Sequence, residues 1–176
     1  ATAWDALRAD AERAAGKFRD ACRAASLKSF EAVIDEADKA ESVVRHAHCS
    51  DLVLLSQADP SATGFRAAQE LVEQVILYSA RPSLVIPYID PPGTPGNRVL
   101  VAWDDSREAA RAVSDALPLL RLAQSVQVIE WSTTDDTTAP RARDALTQWL
   151  LWQGVAAESQ REVSDIPIAE AMLSRA

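Results

Sequence analysis

Two acidic residues and a serine, Asp104, Asp105 and Ser106, stand directly after an apolar run over residues 99–103 and directly before a helical pattern. This order is typical of a buried strand that enters a helix through a tight turn. In open α/β sheets, ligands bind at such carboxyl ends of strands. An aspartate there can accept hydrogen bonds from a ligand's hydroxyl or amino groups, so the turn is the first candidate binding site.

Asp104 has two interpretations, and the sequence leaves both open. An acidic residue at a helix start stabilises the helix as an N-cap without any ligand, and the same carboxylate could instead contact a ligand. Around Ser106 nothing resembles a nucleophile elbow. His46 and His48 have no cluster of acidic or cysteine residues with which to form a metal site. We therefore expect a protein that is not an enzyme and holds no metal.

The composition is that of an ordinary globular chain of one large or two small domains, with 176 residues and 48% hydrophobic content. Its net charge of −8 argues against general nucleic-acid binding, which depends on Lys and Arg. The longest apolar runs are far short of a membrane span, so no membrane partner is expected. With only Cys22 and Cys49, and no apolar signal segment after Ala1, we expect a reducing, cytoplasmic setting.

Hydrophobic periodicity predicts alternating helices and strands up to residue 90. The predicted helices cover 4–22, 38–48 and 65–79, and the predicted strands cover 30–34, 52–55 and 83–86. Asp38 is the expected N-cap of the second helix, with Glu41 as its capping-box partner. Continuous apolar strands between helices predict an α/β fold, an open parallel sheet with helices on both faces.

A second run of the same pattern follows residues 87–97, which contain four prolines and two glycines. Strands are predicted over 98–103, 126–131 and 155–163, and helices over 109–120, 140–152 and 167–175. We therefore predict a first domain over 1–90, a linker over 91–97 and a second domain over 98–176. Each domain should have its own sheet, with strand 99–103 central in the second.

A faint internal repeat relates the two domains. Residues 40–47 align with residues 169–176 at an offset of 129 positions, and helix and strand precede each copy. The same offset places the partner of strand 98–103 before residue 1 and the partners of 52–86 after residue 176. We interpret the chain as the middle of a longer two-repeat protein, with the back half of repeat one and the front half of repeat two.

Four segments in this order resemble the tandem universal stress protein family. Residues 98–106 resemble its first strand, with Asp104-Asp105-Ser106 in place of Asp-Gly-Ser, and residues 111–120 resemble its first helix. Residues 51–60 resemble its fourth strand and loop, and residues 81–87 its last strand. The resemblance implies a five-stranded parallel fold of the adenine nucleotide hydrolase type, with flavodoxin-like or Rossmann-like layering, and a binding or regulatory role in stress response.

Some members of that family bind ATP through a glycine-rich loop after the fourth strand. The matching positions of repeat one are Ser56, Asp59, Gln69 and Glu70, where glycines and a hydroxyl are required, so no nucleotide is expected in repeat one. The loop of repeat two would lie beyond residue 176. The resemblance therefore leaves ATP or another adenine nucleotide as a candidate ligand of repeat two.

The nucleotide contacts implied for repeat two are Ala102, Asp104 and Ser106. Asp105, which replaces a glycine, would hinder close approach of a ligand. The apolar strand 84–86 is expected to be covered by the other repeat or by a second chain, as in a homodimer.

Two other functions fit parts of the sequence. A phosphotransfer receiver could hold Mg²⁺ at Asp104 and Asp105, since Mg²⁺ prefers carboxylate oxygens, with Asp165 as a weak candidate for the phosphorylated residue. The spacing is too long for a receiver, and the required lysine is not visible. An ATP pyrophosphatase would need a Ser-Gly-Gly loop after its first strand, which Asp104-Asp105-Ser106 does not supply. The universal stress protein interpretation is therefore favoured.

Overall fold

The computed structural model describes residues 2–89, 96–132 and 142–175. Predicted and observed elements agree to within a few residues at almost every position. In chain order the elements are α1 (Ala3–Ala24), α2 (Lys39–Ala47), β1 (Val53–Ser56), α3 (Phe65–Tyr78), β2 (Ser83–Ile86), β3 (Arg98–Ala102), α4 (Arg107–Leu120), β4 (Ser125–Ser132), α5 (Ala142–Trp152), β5 (Ala157–Val163) and α6 (Ile168–Arg175).

The predicted strand over residues 30–34 is wrong. The chain has no regular structure between α1 and α2, and Val33 and Ile34 are exposed there. Phe30 instead packs edge-to-face on Phe18 of α1, with ring centroids 6.2 Å apart. An apolar run forms a strand only where a partner strand takes up its backbone hydrogen bonds, and among the described residues no partner is present here.

One compact unit comprises Ala1–Val53 and Ala58–Ser83. Within it α2 packs against α3, and the buried positions of its helices are mostly small: Ala15, Cys22, Ala40, Ala47 and Val75. Asp38 caps α2 as predicted, since its side chain accepts the backbone N–H groups of Ala40 and Glu41. The Arg81 guanidinium, beyond α3, donates to the His48 carbonyl at 2.5 Å.

β1 and β2 form a two-stranded sheet. The Val53 N–H donates to the Pro82 carbonyl at 3.0 Å, and the Gln57 N–H donates to the Ile86 carbonyl at 2.8 Å. Because donors and acceptors advance along the chain together, the two strands are parallel. β2 is half-buried along its whole length.

The second compact unit comprises Leu54–Gln57 and Leu84–Ala176. Its three-stranded parallel sheet has the order β3-β4-β5, with Val101 opposite Val128 and Val126 opposite Ala157. α4 and α5 cover one face of this sheet. The core between them consists of Val101, Trp103, Val113, Leu120, Val126, Val128, Leu146, Leu150 and Val155.

Two separate parallel sheets were expected and are observed in the described part of the chain, but the expected central place of strand 99–103 is wrong. β3 lies at an edge of its sheet, and β4 is central. Among the described strands β3 pairs with β4 alone, and an apolar composition does not by itself determine on how many sides a strand is paired. Most of the predicted linker, 91–97, lies outside the described residues, so the domain division stays a prediction. Across the described ranges no helix is both long and apolar enough to cross a membrane.

Candidate functional site

The turn between β3 and α4 is organised around Ser106. The Ser106 side chain accepts the Ala109 N–H at 3.1 Å and is the N-cap of α4. The Ser106 N–H in turn donates to Asp104 Oδ1 at 3.0 Å. Of the two interpretations of Asp104, the N-cap is therefore wrong, because the capping position lies two residues later. Asp104 instead closes the turn with one carboxylate oxygen and remains exposed to solvent.

Hydrogen bonding favours the ionised form of Asp104. The side chain and then the backbone N–H of Ser106 lower the pKa of the Asp104 carboxyl below its ordinary value of 3.8. At neutral pH the group is therefore a pure acceptor, suited to ligand hydroxyl or amino groups.

Asp105 has a left-handed backbone, with φ of +59°. Only glycine adopts this conformation freely, although Asp and Asn tolerate it better than other residues. The universal stress proteins that the sequence resembles have glycine at this position. A left-handed backbone is a physical reason to prefer glycine there. The Asp105 side chain is exposed. Its Cβ, which glycine lacks, limits how closely a ligand can approach the backbone of the turn.

The charges at the turn are mostly negative. Glu108 lies in the first turn of α4, close enough to Asp104 to be repelled by its charge, and the pKa of the Glu108 carboxyl is lowered mainly by the hydrogen bond from Arg107. Arg107 is thereby occupied, with its Nε 2.5 Å from Glu108 Oε1. The turn is consequently suited to hydrogen-bond donors and unsuited to phosphate groups.

A pocket of about 610 Å³ opens between α4 and α5 beside this turn. Its walls are mainly apolar, and one acidic residue belongs to its lining: Trp103, Asp105, Ala110, Ala142, Ala145, Leu146 and Trp149. Trp103 is buried, and the sequence pattern did not predict the pocket. The signal that could have indicated it is the presence of small residues, Ala110 and Ala145, on the helices that flank the strand end.

A half-buried charge cluster lies on β4, β5 and α5. Glu130 Oε2 is 3.7 Å from Arg143 Nη1, and Glu130 Oε1 is 3.9 Å from Arg161 Nε. Arg161 also donates to the Ser132 hydroxyl at 3.0 Å. The cluster thus joins three elements of the second unit near the carboxyl half of β4, and sequence spacing alone did not indicate it.

The side chains at two of the loop positions after β1 have hydrogen-bond partners within the chain. Asp59 Oδ1 accepts the Ser61 N–H at 2.8 Å and the Ser61 hydroxyl at 2.7 Å, and these bonds lower the pKa of the Asp59 carboxyl. Gln69 lies within α3 and donates to Glu73. The expectation that no phosphate is held there stays a prediction.

The structure gives no support to the alternative of a phosphotransfer receiver that holds Mg²⁺ at Asp104 and Asp105. In the part of the chain that the structure describes, no group of three or more His, Cys, Asp or Glu residues could hold a metal ion. Asp165, the candidate phosphorylated residue, is exposed beyond the end of β5.

Among solved structures, the chain is similar to a universal stress protein from Archaeoglobus fulgidus DSM 4304. The TM-score is 0.72 with 18% identity, over 97% of this chain and 62% of that one. It is also similar, with a TM-score of 0.40 and 21% identity over 48% of this chain and 75% of that one, to a protein from the universal stress protein family from Burkholderia pseudomallei. No protein-family profile and no curated protein matches the sequence.

The first of these likenesses shows the fold. The predicted α/β fold class, with parallel sheets flanked by helices, is confirmed. The chain spans about 62% of the length of the Archaeoglobus fulgidus structure.

Proposed function

We propose that this chain is part of a cytoplasmic, non-enzymatic binding protein of the universal stress type, and that it binds an adenine nucleotide at the carboxyl end of β3. The observation that carries the proposal is the β3–α4 turn. It combines an exposed, ionised Asp104 with a left-handed backbone at Asp105, where the resembling family has glycine. The fold likeness to a universal stress protein supports the same conclusion.

Three residues define the proposed contact surface. Ala102 lies on the face of β3 opposite the α4–α5 core, because Val101 and Trp103, its neighbours, both belong to that core. Asp104 accepts from a ribose hydroxyl or a base amino group, and Ser106 holds Asp104 in place. The triphosphate extends away from the turn, since a phosphate about 4 Å from a carboxylate is repelled by roughly 1 to 4 kcal/mol in a partly screened site.

The tandem arrangement is part of the proposal. The chain aligns along nearly its whole length with 62% of a longer universal stress protein, and it divides into two compact units. We propose that residues 1–90 and residues 98–176 derive from consecutive repeats of the universal stress type, in a protein that forms repeat–repeat contacts or a homodimer. The short sheet of β1 and β2 would then gain a further strand at the β2 edge.

The decisive experiment is a calorimetric titration of the protein with ATP. One site per chain is expected, and Asp104→Ala should weaken it at least about tenfold, since hydrogen bonds to a charged group contribute roughly 1.5 to 3 kcal/mol. Asp59→Ala, an exchange of the same kind in the repeat-one loop, is the matched control and should leave the affinity unchanged. Two equivalent sites, or one that responds to Asp59→Ala and not to Asp104→Ala, would overturn the assignment.

A further inference from the structure

The amino ends of β3, β4 and β5 lie at the end of the second unit that is opposite to the β3–α4 turn. α4 and α5 connect parallel strands, so they run back along the sheet and both helices end here. At about 3.3 Å per residue, Arg98 at the start of β3 lies roughly 13 Å from Ala102 at its end. The surface at these amino ends is therefore separate from the proposed nucleotide contacts.

Hydrogen bonds connect three chain segments at this end of the unit. The Arg121 guanidinium donates from Nε to the Gln153 carbonyl at 2.9 Å and from Nη2 to Gln153 Oε1 at 3.1 Å. The Gln124 N–H donates to the Asn97 carbonyl at 2.8 Å. The segment after α4 is thereby held to the end of α5 and to the start of β3.

Large apolar side chains are exposed beside these contacts. Four of them belong to the last turns of α4 and α5 or follow directly: Leu119, Leu122, Leu151 and Trp152. Leu122 and Trp152 are 80% and 74% exposed, and each is next in the chain to one of the two residues that the Arg121 side chain joins. Exposed apolar patches mark interaction sites, and tryptophan is enriched among the residues that contribute most to binding.

Two exposed arginines accompany these apolar side chains. In the described part of the chain neither Arg98 nor Arg121 forms an ion pair with a carboxylate, and the bonds of Arg121 go to the neutral Gln153. Arg98 also lines a groove of about 630 Å³, in which the other two charged residues, Arg175 and Glu158, have opposite signs. The chain as a whole has a net charge of −8, so this end presents uncompensated positive charge on an acidic protein.

We propose that this end of the second unit is a docking surface for an acidic amphipathic segment of a partner protein. Apolar side chains of the segment cover Leu122 and Trp152, and its carboxylates pair with Arg98 and Arg121. Charge complementarity selects this occupant, because opposite charges across an interface steer and orient the partner. An anionic membrane would meet the same arginines, but the net charge of −8 repels it. The surface does not include Asp104, so the proposal does not depend on nucleotide binding.

The test compares two fluorescein-labelled peptides of about 15 residues that share leucines at helical spacing. The remaining positions are glutamate in one peptide and lysine in the other, and fluorescence anisotropy measures their binding to the chain. The glutamate peptide should bind at least about tenfold more tightly, although the net charge of −8 alone would favour the lysine peptide. Its affinity should fall as salt is added. No binding of the glutamate peptide, or equal binding of both, would overturn the proposal.

Variants of exposed residues locate the binding surface without disturbing the core. Trp152→Ser should weaken the glutamate peptide at least about tenfold, and Arg98→Gln should weaken it about twofold to fivefold, the usual contribution of an exposed ion pair. Trp4→Ser in α1 and Arg66→Gln in α3, also exposed, are the matched controls and should have no effect. Binding that does not respond to Trp152→Ser, or that responds equally to Trp4→Ser, would overturn the assignment to this surface.

Two further measurements distinguish the other occupants of the surface. Analytical ultracentrifugation would reveal a dimer that Trp152→Ser dissociates, which would assign the surface to a second copy of the chain. Sedimentation with phosphatidylserine vesicles would reveal membrane binding that Trp152→Ser abolishes. Either result would overturn the proposal of a partner segment. Asp104→Ala should leave binding of the glutamate peptide unchanged, whatever its effect on ATP, and a loss there would overturn the separation of the two sites.

Discussion

Asp104 and Ser106 form a closed turn in which the Ser106 N–H donates to Asp104 Oδ1 at 3.0 Å while the Ser106 side chain caps α4. The two residues therefore have different roles at the end of β3. Ser106 accepts a free backbone N–H at the start of α4. Asp104 accepts the backbone N–H of Ser106, and its charged carboxylate is exposed to solvent. A carboxylate that is positioned by the turn itself is pre-organised for a ligand.

The hydrogen bonds to Asp104 should make the free energy of unfolding depend on pH. Because they lower the pKa of this carboxyl in the folded state, the wild type should gain stability over Asp104→Asn at neutral pH. The gain should be complete above the ordinary pKa of 3.8 and should be lost as the pH falls through the lower folded value. Urea unfolding of both proteins between neutral and acid pH measures it. The gain should be small, since Asp104 is exposed, and a gain that grows on acidification would contradict the assignment.

The left-handed backbone at Asp105 predicts an unusual preference for glycine. Asp105→Gly should be at least as stable as the wild type, and Asp105→Ala should be about 1 kcal/mol less stable than Asp105→Gly, because only glycine adopts a φ of +59° without steric cost. The order should reverse at Arg107, the first residue of α4, where alanine is preferred over glycine. Chemical denaturation of the four variants gives both differences. Equal stability of the Ala and Gly variants at Asp105 would count against the left-handed turn.

Ser106 should contribute to the stability of α4 through its side chain. Ser106→Ala removes the acceptor for the Ala109 N–H and should cost about 1 kcal/mol, whereas Ser106→Asn should restore most of the loss. Ser114→Ala, at an exposed position inside the same helix, should be neutral or slightly stabilising. Thermal unfolding followed by circular dichroism separates the three. If the two serine-to-alanine variants behave alike, Ser106 is not the cap.

Much of the fold could be predicted because its information is local. Asp38 caps α2 at the predicted position, and the apolar run at residues 83–86 forms β2 with the predicted bounds. The errors concern pairing, which depends on residues distant in the chain. In the described part of the chain, residues 30–34 have strand composition but no partner strand. Among the described strands β3 pairs with β4 alone, which places it at an edge.

The part of the candidate site that depends on local sequence was predicted, and the part that depends on distant residues was not. Asp104 was recognised from its place after an apolar run, but whether it or Ser106 caps α4 depends on backbone angles that residue types do not reveal. The pocket requires Trp103 from a strand and Ala145 from a helix about 40 residues later in the same wall. Small residues such as Ala145 are a weak signal in the sequence, and which elements come together as one wall depends on the folded arrangement.

Glu130 should be the most sensitive charged residue of the second unit. Its carboxylate lies between Arg143 and Arg161, at 3.7 and 3.9 Å, and the three side chains are 22%, 24% and 19% exposed. Removing one partner of a largely buried ionic cluster leaves the other charges uncompensated. With a discount for the remaining exposure, Glu130→Ala should cost about 1 to 3 kcal/mol, whereas Glu130→Gln should cost less because it keeps the volume and an acceptor.

The exposed ion pair between Arg8 and Glu12 is the matched control for this prediction. Its side chains are 61% and 62% exposed, so Glu12→Ala should change stability by no more than about 0.5 kcal/mol. The free energies of unfolding from urea titrations, at low and high salt, compare the two positions. High salt should reduce the cost at Glu12 proportionally more than the cost at Glu130, because half-buried charges are screened less than exposed ones. A Glu130→Ala cost as small and as salt-sensitive as that of Glu12→Ala would show that the cluster does not join β4 to β5 and α5.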